Sequence, residues 1–464
     1  MLSKAIQKLS PLLFQDQDYY KTLVRIAVPI TVQQFITSSL NAVDVMMIGQ
    51  LGETAVASVG LANQLFFLFT LLMFGISSGG AMFTAQLWGK RDIKNIHKVL
   101  GICLTVGLAS SMIFAVAAVV FPHVVLSLYT PDPEVVALGS SYLRIVGFSY
   151  ILTGITFSFA AVLRSTENVR LPMYVSIVAL SANTFMNYLL IFGNLGFPEM
   201  GVPGAATATL IARTLECTAL VSVTYLARTP VAARIKDLFA FNWVFLQKYF
   251  TTALPVIFNE SLWSLGITVY NAIYARIGTD AIAAVNISST IENLAFVLFI
   301  GLSNAAAIMI GGRIGAGEEN RAFNYARRSL LITIIGAILI GGVIFTGRGL
   351  ILSLYNVSES TRTFAHYILG IVSFVFWIRV SNMMMIVGIL RSGGDTRFSF
   401  VLDVGTVWVI GIPLALIGAF VFHLPVYGVM LMIMAEELVK FGVGIFRVRS
   451  GRWVHNLSQA MSLT

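Results

Sequence analysis

Apolar residues fill this chain in long blocks, and polar residues punctuate the blocks at short intervals. Twelve such blocks fall at roughly 22–50, 55–87, 96–121, 134–163, 169–192, 203–227, 246–275, 281–313, 322–346, 361–390, 398–420 and 426–447. About 20 apolar residues suffice to cross a hydrocarbon core as a helix. The pattern therefore predicts an all-α polytopic membrane protein with twelve transmembrane helices. Several blocks exceed the minimum, so tilts or extensions past the bilayer are expected. Pro29 and Pro255 lie near the starts of two blocks, where each removes a helix hydrogen bond and favours a bend.

Composition agrees with the pattern. Hydrophobic residues make up 57% of the 464 positions and charged ones 11%, against about 25% charged in a soluble domain. The net charge of +9 raises nucleic acid as a partner, but its distribution argues otherwise. The tails and alternate connections hold 24 of the 30 Lys and Arg, including Lys90, Arg91, Arg228, Arg234, Arg391 and a C-terminal group of Lys440, Arg447, Arg449 and Arg452. The opposite side holds 3, and Arg144, Arg213 and Arg379 fall within spans. Such asymmetry places both termini in the cytoplasm. The start, MLSKAIQKLSPLLFQDQDYY, lacks the apolar core of a signal peptide and is expected to be retained. Cys103 and Cys217 lie inside apolar blocks and suggest neither a disulfide framework nor a metal site.

The chain is doubled. Adding 226 to the numbering pairs Pro29 with Pro255, Gly52 with Gly278, Gly75 with Gly301 and Gly89 with Gly315, and 13 of 61 ungapped positions from 29 to 89 are identical. Leu126–Tyr129 meets Leu352–Tyr355 at the same offset, and Leu163-Arg164-Ser165 meets Leu390-Arg391-Ser392 at 227. Six spans per repeat is an even number, so both halves enter from the same side. Parallel repeats of this kind mark secondary transporters. The expected organisation is two pseudo-twofold six-helix lobes, 1–227 and 249–464, joined by a cytoplasmic linker at 228–248.

One polar position stands out within the blocks. Asp44 sits in PITVQQFITSSLNAVDVMMIGQLG, among apolar and small residues. A charge at bilayer depth costs at least about 2.5–3.5 kcal/mol, which makes an intramembrane acid a functional candidate. Its repeat partner is Tyr270, and the second lobe's own first-helix acid, Glu260, pairs with Gln34. The lobes are expected to have specialised.

These features together resemble the multidrug and toxic compound extrusion (MATE) family along essentially the whole chain. The carriers are VDVMMIGQLG, AQLWGKRD at 85–92, AVLRSTENVRLPM at 161–173, ANTFMNYLLIFGNLGFPEMGVPGAATATLIAR at 182–213, and GILRSGGDTRFSF at 388–400. The resemblance implies a cation-coupled antiporter that exports cationic or amphipathic organic compounds in exchange for H⁺ or Na⁺. It implies a monomer in the plasma membrane of a prokaryote, the inner one where there are two, in contact with membrane lipid. By the same resemblance, Asp44 matches the family's first-helix acid. Asn183 and Asn187 match a polar pair on the fifth helix, and their i, i+4 spacing sets them on one face. Thr209 matches a sixth-helix hydroxyl, and these four form a candidate Na⁺ or proton pocket. Glu260 matches a seventh-helix acid of one branch. That branch also has an acid where this chain has Val380, and a hard cation wants several oxygen ligands.

Further buried polar groups are Glu292, Asp403, Glu436 and Glu437, with Arg379 a candidate counter-ion. A substrate cleft is expected from Gln34, Asn259, Trp263, Tyr270, Glu292 and Asp403. Arg213 and Glu216, three apart on one helix, read as an ion pair. The five histidines are scattered without metal spacing, and GGRIGAGEE at 311–319 lacks the ending of a phosphate loop. No catalytic constellation, cofactor or nucleic-acid partner is indicated. Two rival readings are a flippase of lipid-linked precursors, which would want an Arg-rich cleft, and a non-transporting membrane scaffold.

Overall fold

A computed structural model describes residues 16–355 and 357–462. Twelve long helices follow in order: α1 Gln17–Gly49, α2 Glu53–Gly89, α3 Ile93–Val120, α4 Pro133–Ser165, α5 Arg170–Phe192, α6 Gly201–Leu226, α7 Trp243–Ile277, α8 Thr279–Gly315, α9 Glu319–Ser353, α10 Glu359–Leu390, α11 Thr396–Val421 and α12 Val426–Arg449. Each predicted span falls on one of them. Among the described residues, ten are long and apolar enough to cross a membrane. The other two are α7 and α12, and every 18-residue stretch of α12 contains Glu436, Glu437 and Lys440.

Local chemistry sets the ends. The Asp92 carboxylate caps α3 by accepting from the Asn95 N–H, and Asp132 caps α4 by accepting from Glu134 and Val135 with Pro133 as the first helical residue. Gly52 precedes α2 with φ of 103°, and a side-chain carbon placed there would meet no atom within 4 Å. Backbone conformation alone therefore requires glycine at this position.

The repeat is visible in these bounds. At the offset of 226, α1 to α5 begin where α7 to α11 begin, and α2 and α8 also end together. The one-residue slip has a physical form. α4 is α-helical throughout, whereas α10 closes with a π-helical segment, Met384–Leu390. An inserted residue is absorbed as a wider turn. α11 carries two further π segments, Val407–Gly411 and Ile417–Val421.

The described residues divide into two compact units, Val32–Ala253 and Leu254–Ala460, the second also taking those up to Thr31. In the first unit α4 packs against α2, α3 and α6; in the second α10 packs against α8, α9 and α12. Small residues allow these close approaches. A side-chain carbon on Gly154 of α4 would overlap Ser111 of α3, and one on Gly341 of α9 would overlap the Ser373 backbone of α10. Large apolar side chains such as Ile113, Val120, Leu339, Val343, Phe374 and Phe446 are exposed, as a lipid-facing surface requires.

Candidate functional site

In the first unit, α1, α2, α4, α5 and α6 enclose a cavity of about 320 Å³. Asp44, Asn183, Asn187 and Thr209 all line it, joined by Asn63, Tyr142, Tyr150 and Arg213. The fifth-helix spacing works as the sequence suggests. Asn187 Nδ2 donates to Asp44 Oδ1 at 2.9 Å. With its amide assigned the orientation that satisfies both neighbours, Asn183 donates to Asp44 Oδ2 at 2.8 Å and accepts from the Thr209 N–H at 3.2 Å. The carboxylate is thus held at both oxygens by neutral amides. The Thr209 hydroxyl donates to Ala205 O at 3.0 Å on its own helix and meets the Tyr142 phenol from α4. Tyr142 is a site residue that sequence reasoning missed, because nothing local marks a tyrosine three helices along the chain.

Arg213 lines the same cavity, as does the acid that holds it, Glu216. Its Nη1 sits 2.7 Å from Glu216 Oε2, as the three-residue spacing predicts. Ser176 donates to the other Glu216 oxygen at 2.7 Å, and Gln33 Nε2 donates to Ser176 at 2.9 Å. Among the described residues, Asp44 is the one carboxylate more than a turn inside a helix with no cationic partner. Two hydrogen bonds to a charged acceptor contribute about 1.5–3 kcal/mol each. That sum is comparable with the cost of the charge at this depth, so the two amides offset it.

The second unit is arranged differently. Glu260 lies 2.6 Å from Arg391 Nη1. Arg379 pairs with Glu292 and lies 3.6 Å from Glu437. Lys440 Nζ lies 2.9 Å from Asp403 Oδ1 and 3.0 Å from Glu436 Oε1. Asn259 donates to Asp403 at 2.9 Å, and Tyr270 donates to Glu436 at 2.6 Å.

Lys440 and Arg391, assigned from sequence to cytoplasmic segments, are buried at 3% and 4% exposure and neutralise acids. The available signal for Lys440 was its i, i+4 spacing from Glu436 inside an apolar run. The expected cleft residues do not converge. Asn259, Tyr270 and Asp403 belong to the Lys440 network, and Glu292 belongs to the Arg379 network. Gln34 and Trp263 are exposed, with no hydrogen-bond partner for either among the described residues. Gly411 is a further residue not foreseen: a side-chain carbon there would overlap the Tyr270 hydroxyl and Glu436 Oε2.

Two six-helix repeats built around an intramembrane acid define a membrane transporter. The MatE family model matches residues 29–189 and 255–417, and the chain belongs to that family of multidrug efflux transporters. A probable multidrug resistance protein NorM of Thermotoga maritima is 23% identical over 446 residues, covering 93% of each chain. A probable multidrug resistance protein YoeA of Bacillus subtilis is 26% identical, covering 88% of this chain and 89% of its own. A crystal structure of MATE in complex with MaL6 superposes with a TM-score of 0.84 at 20% identity, covering 95% of this chain and 98% of that one.

Proposed function

We propose that the chain is a proton-coupled antiporter that exports organic cations and amphipathic compounds by alternating access, with Asp44 as the coupling acid. The observation that carries this reading is the state of Asp44, which is held by two amides, has no cation within ion-pair distance among the described residues and lines a cavity. An acid with an Arg or Lys of its own gains little from binding a proton. One held by neutral donors changes the net charge of its pocket when it does. Protonation turns one carboxylate oxygen into a donor, so the amide facing it must turn or let go. Asn187 Oδ1, which has no partner among the described residues, is placed to accept after such a turn. The rearrangement loosens α1 from α5 and biases the lobe toward release of cargo, because the ion favours one state over the other.

Na⁺ is the second ion to weigh. It would need oxygen ligands around Asp44, and both amides present N–H to the carboxylate instead. A proton calls for one amide to turn, whereas Na⁺ calls for both to present oxygen. Cationic cargo is favoured over a pyrophosphate lipid because the Arg in the cavity is already neutralised by Glu216. The charge asymmetry supports a plasma-membrane location with cytoplasmic termini.

The test is uptake of a fluorescent organic cation into proteoliposomes under an imposed proton gradient or an imposed Na⁺ gradient. Uptake driven by the proton gradient alone is expected. Uptake driven by Na⁺ alone would overturn the choice of ion, and uptake insensitive to both would overturn antiport.

A further inference from the structure

The Lys440 network in the second unit holds more acid than base. Asp403 of α11 and Glu436 of α12 share one ammonium, with side-chain exposures of 11%, 4% and 4% for Asp403, Glu436 and Lys440. Glu437, the next residue, adds a further negative charge near Glu436, and its own cation, Arg379 of α10, is shared with Glu292 of α8. Arg391 of α10 acts on Asp403 from a distance while its guanidinium sits against Glu260 of α7. Tyr270 and Tyr274 of α7 complete the surroundings. The three acids nearest Lys440 and the acid paired with Arg379 thus face two cations. A buried excess charge is relieved by binding a proton, because desolvation penalises the ionised form.

Geometry selects the acceptor. Asp403 takes N–H donors at both oxygens, from Lys440 and from Asn259. Unlike Asp44, it has a second cation acting on it, Arg391, beside its ion pair with Lys440, so its charge is the better compensated of the two. Glu436 takes Lys440 on one oxygen and the Tyr270 hydroxyl on the other. A phenol both donates and accepts, so Tyr270 can turn its proton and receive one from Glu436 without any heavy atom moving. Gly411 keeps the space in which these two oxygens meet.

We propose that Glu436, within the Lys440–Asp403–Tyr270 network, is a second proton-binding site, separate from the Asp44 cavity. Binding there does not depend on the antiport reading; its use in transport rests on that reading. The site gives the second lobe its own exchangeable proton at the repeat position where Tyr270 replaces Asp44.

The test is a proton-uptake titration of the purified full-length protein, with infrared detection of protonated carboxyl groups, on wild type, Glu436→Gln, Asp44→Asn and the double variant. Gln keeps the size of the side chain and an oxygen for Lys440. Wild type is expected to take up one more proton than Glu436→Gln and two more than the double variant. Tyr270→Phe, which removes only the hydroxyl, is expected to move the midpoint of the Glu436 step while leaving the Asp44 step in place. Equal uptake by wild type and Glu436→Gln would overturn the proposal. A deficit in Asp44→Asn alone would do the same while leaving the function assigned to Asp44 standing.

Discussion

The two lobes share a fold and treat buried charge in opposite ways. The first holds Asp44 with two amides in an open cavity. The second gives Glu260, Glu292, Asp403, Glu436 and Glu437 cationic partners from other turns and helices. Breaking a buried ion pair costs about 3–5 kcal/mol, whereas a net hydrogen bond to a charged group is worth about 1.5–3. On these figures the first arrangement costs less to rearrange, and the second holds its side chains in place even where Glu436 takes up a proton. Gene duplication supplied the same six helices twice, and substitution at single positions, Asp44 against Tyr270 above all, separated a responsive lobe from a braced one.

The sharpest way to break this contrast is to give Asp44 a cation. Asn187→Lys places an ammonium where the amide now donates. Gradient-driven uptake should fall to background while the thermal unfolding temperature is kept or raised. Normal transport by this variant would show that the missing counter-cation has no functional meaning.

The reverse change removes a brace. Lys440→Met leaves Asp403 and Glu436 without their shared ammonium and should destabilise the protein by about 3–5 kcal/mol in thermal unfolding. A change within about 0.5 kcal/mol would mean that the network is not structural. Gly411→Ala probes the same place by volume. Its added carbon overlaps Tyr270 and Glu436, and a cost of about 1–3 kcal/mol is expected from overpacking.

The smallest effect lies at the surface. Glu318, between α8 and α9, accepts from Arg313 at 2.7 Å and pairs with Arg321 at 3.2 Å. The Arg313 hydrogen bond holds its carboxyl below the usual carboxylate range. A lowered folded-state value means support that is present at neutral pH and lost as pH falls through that value. Glu318→Gln should cost only about 0.2–1 kcal/mol near neutrality, as exposed pairs do, and nothing in strong acid. A larger cost, or one that persists in acid, would contradict this origin.

Much of this architecture was legible in the residues. Hydrophobic blocks mark the helices because every backbone group in lipid must bond internally. The offset of 226 anticipates where helices of the second repeat begin, and the slip to 227 anticipates the π turn at Met384–Leu390. Asp44 was visible as a charge in an apolar run, and the family resemblance supplied Asn183, Asn187 and Thr209. The second lobe was not legible in the same way. Asp403 and Lys440 lie on different helices, and a charge-counting rule assigns any Lys near a span end to the cytoplasm. Only packing reveals that Lys440 and Arg391 turn inward. Tyr142, Tyr270 and Gly411 act through the space they fill, which periodicity does not encode.

The central claim is that Asp44 couples ion to cargo. It is tested most directly in proteoliposomes holding either wild type or Asp44→Asn, with gradient-driven uptake and gradient-free exchange of the same fluorescent cation measured side by side. Wild type should show both. Asp44→Asn, with the fold verified by an unchanged unfolding temperature, should lose gradient-driven uptake. Uptake by Asp44→Asn at the wild-type rate under the same gradient would contradict the account.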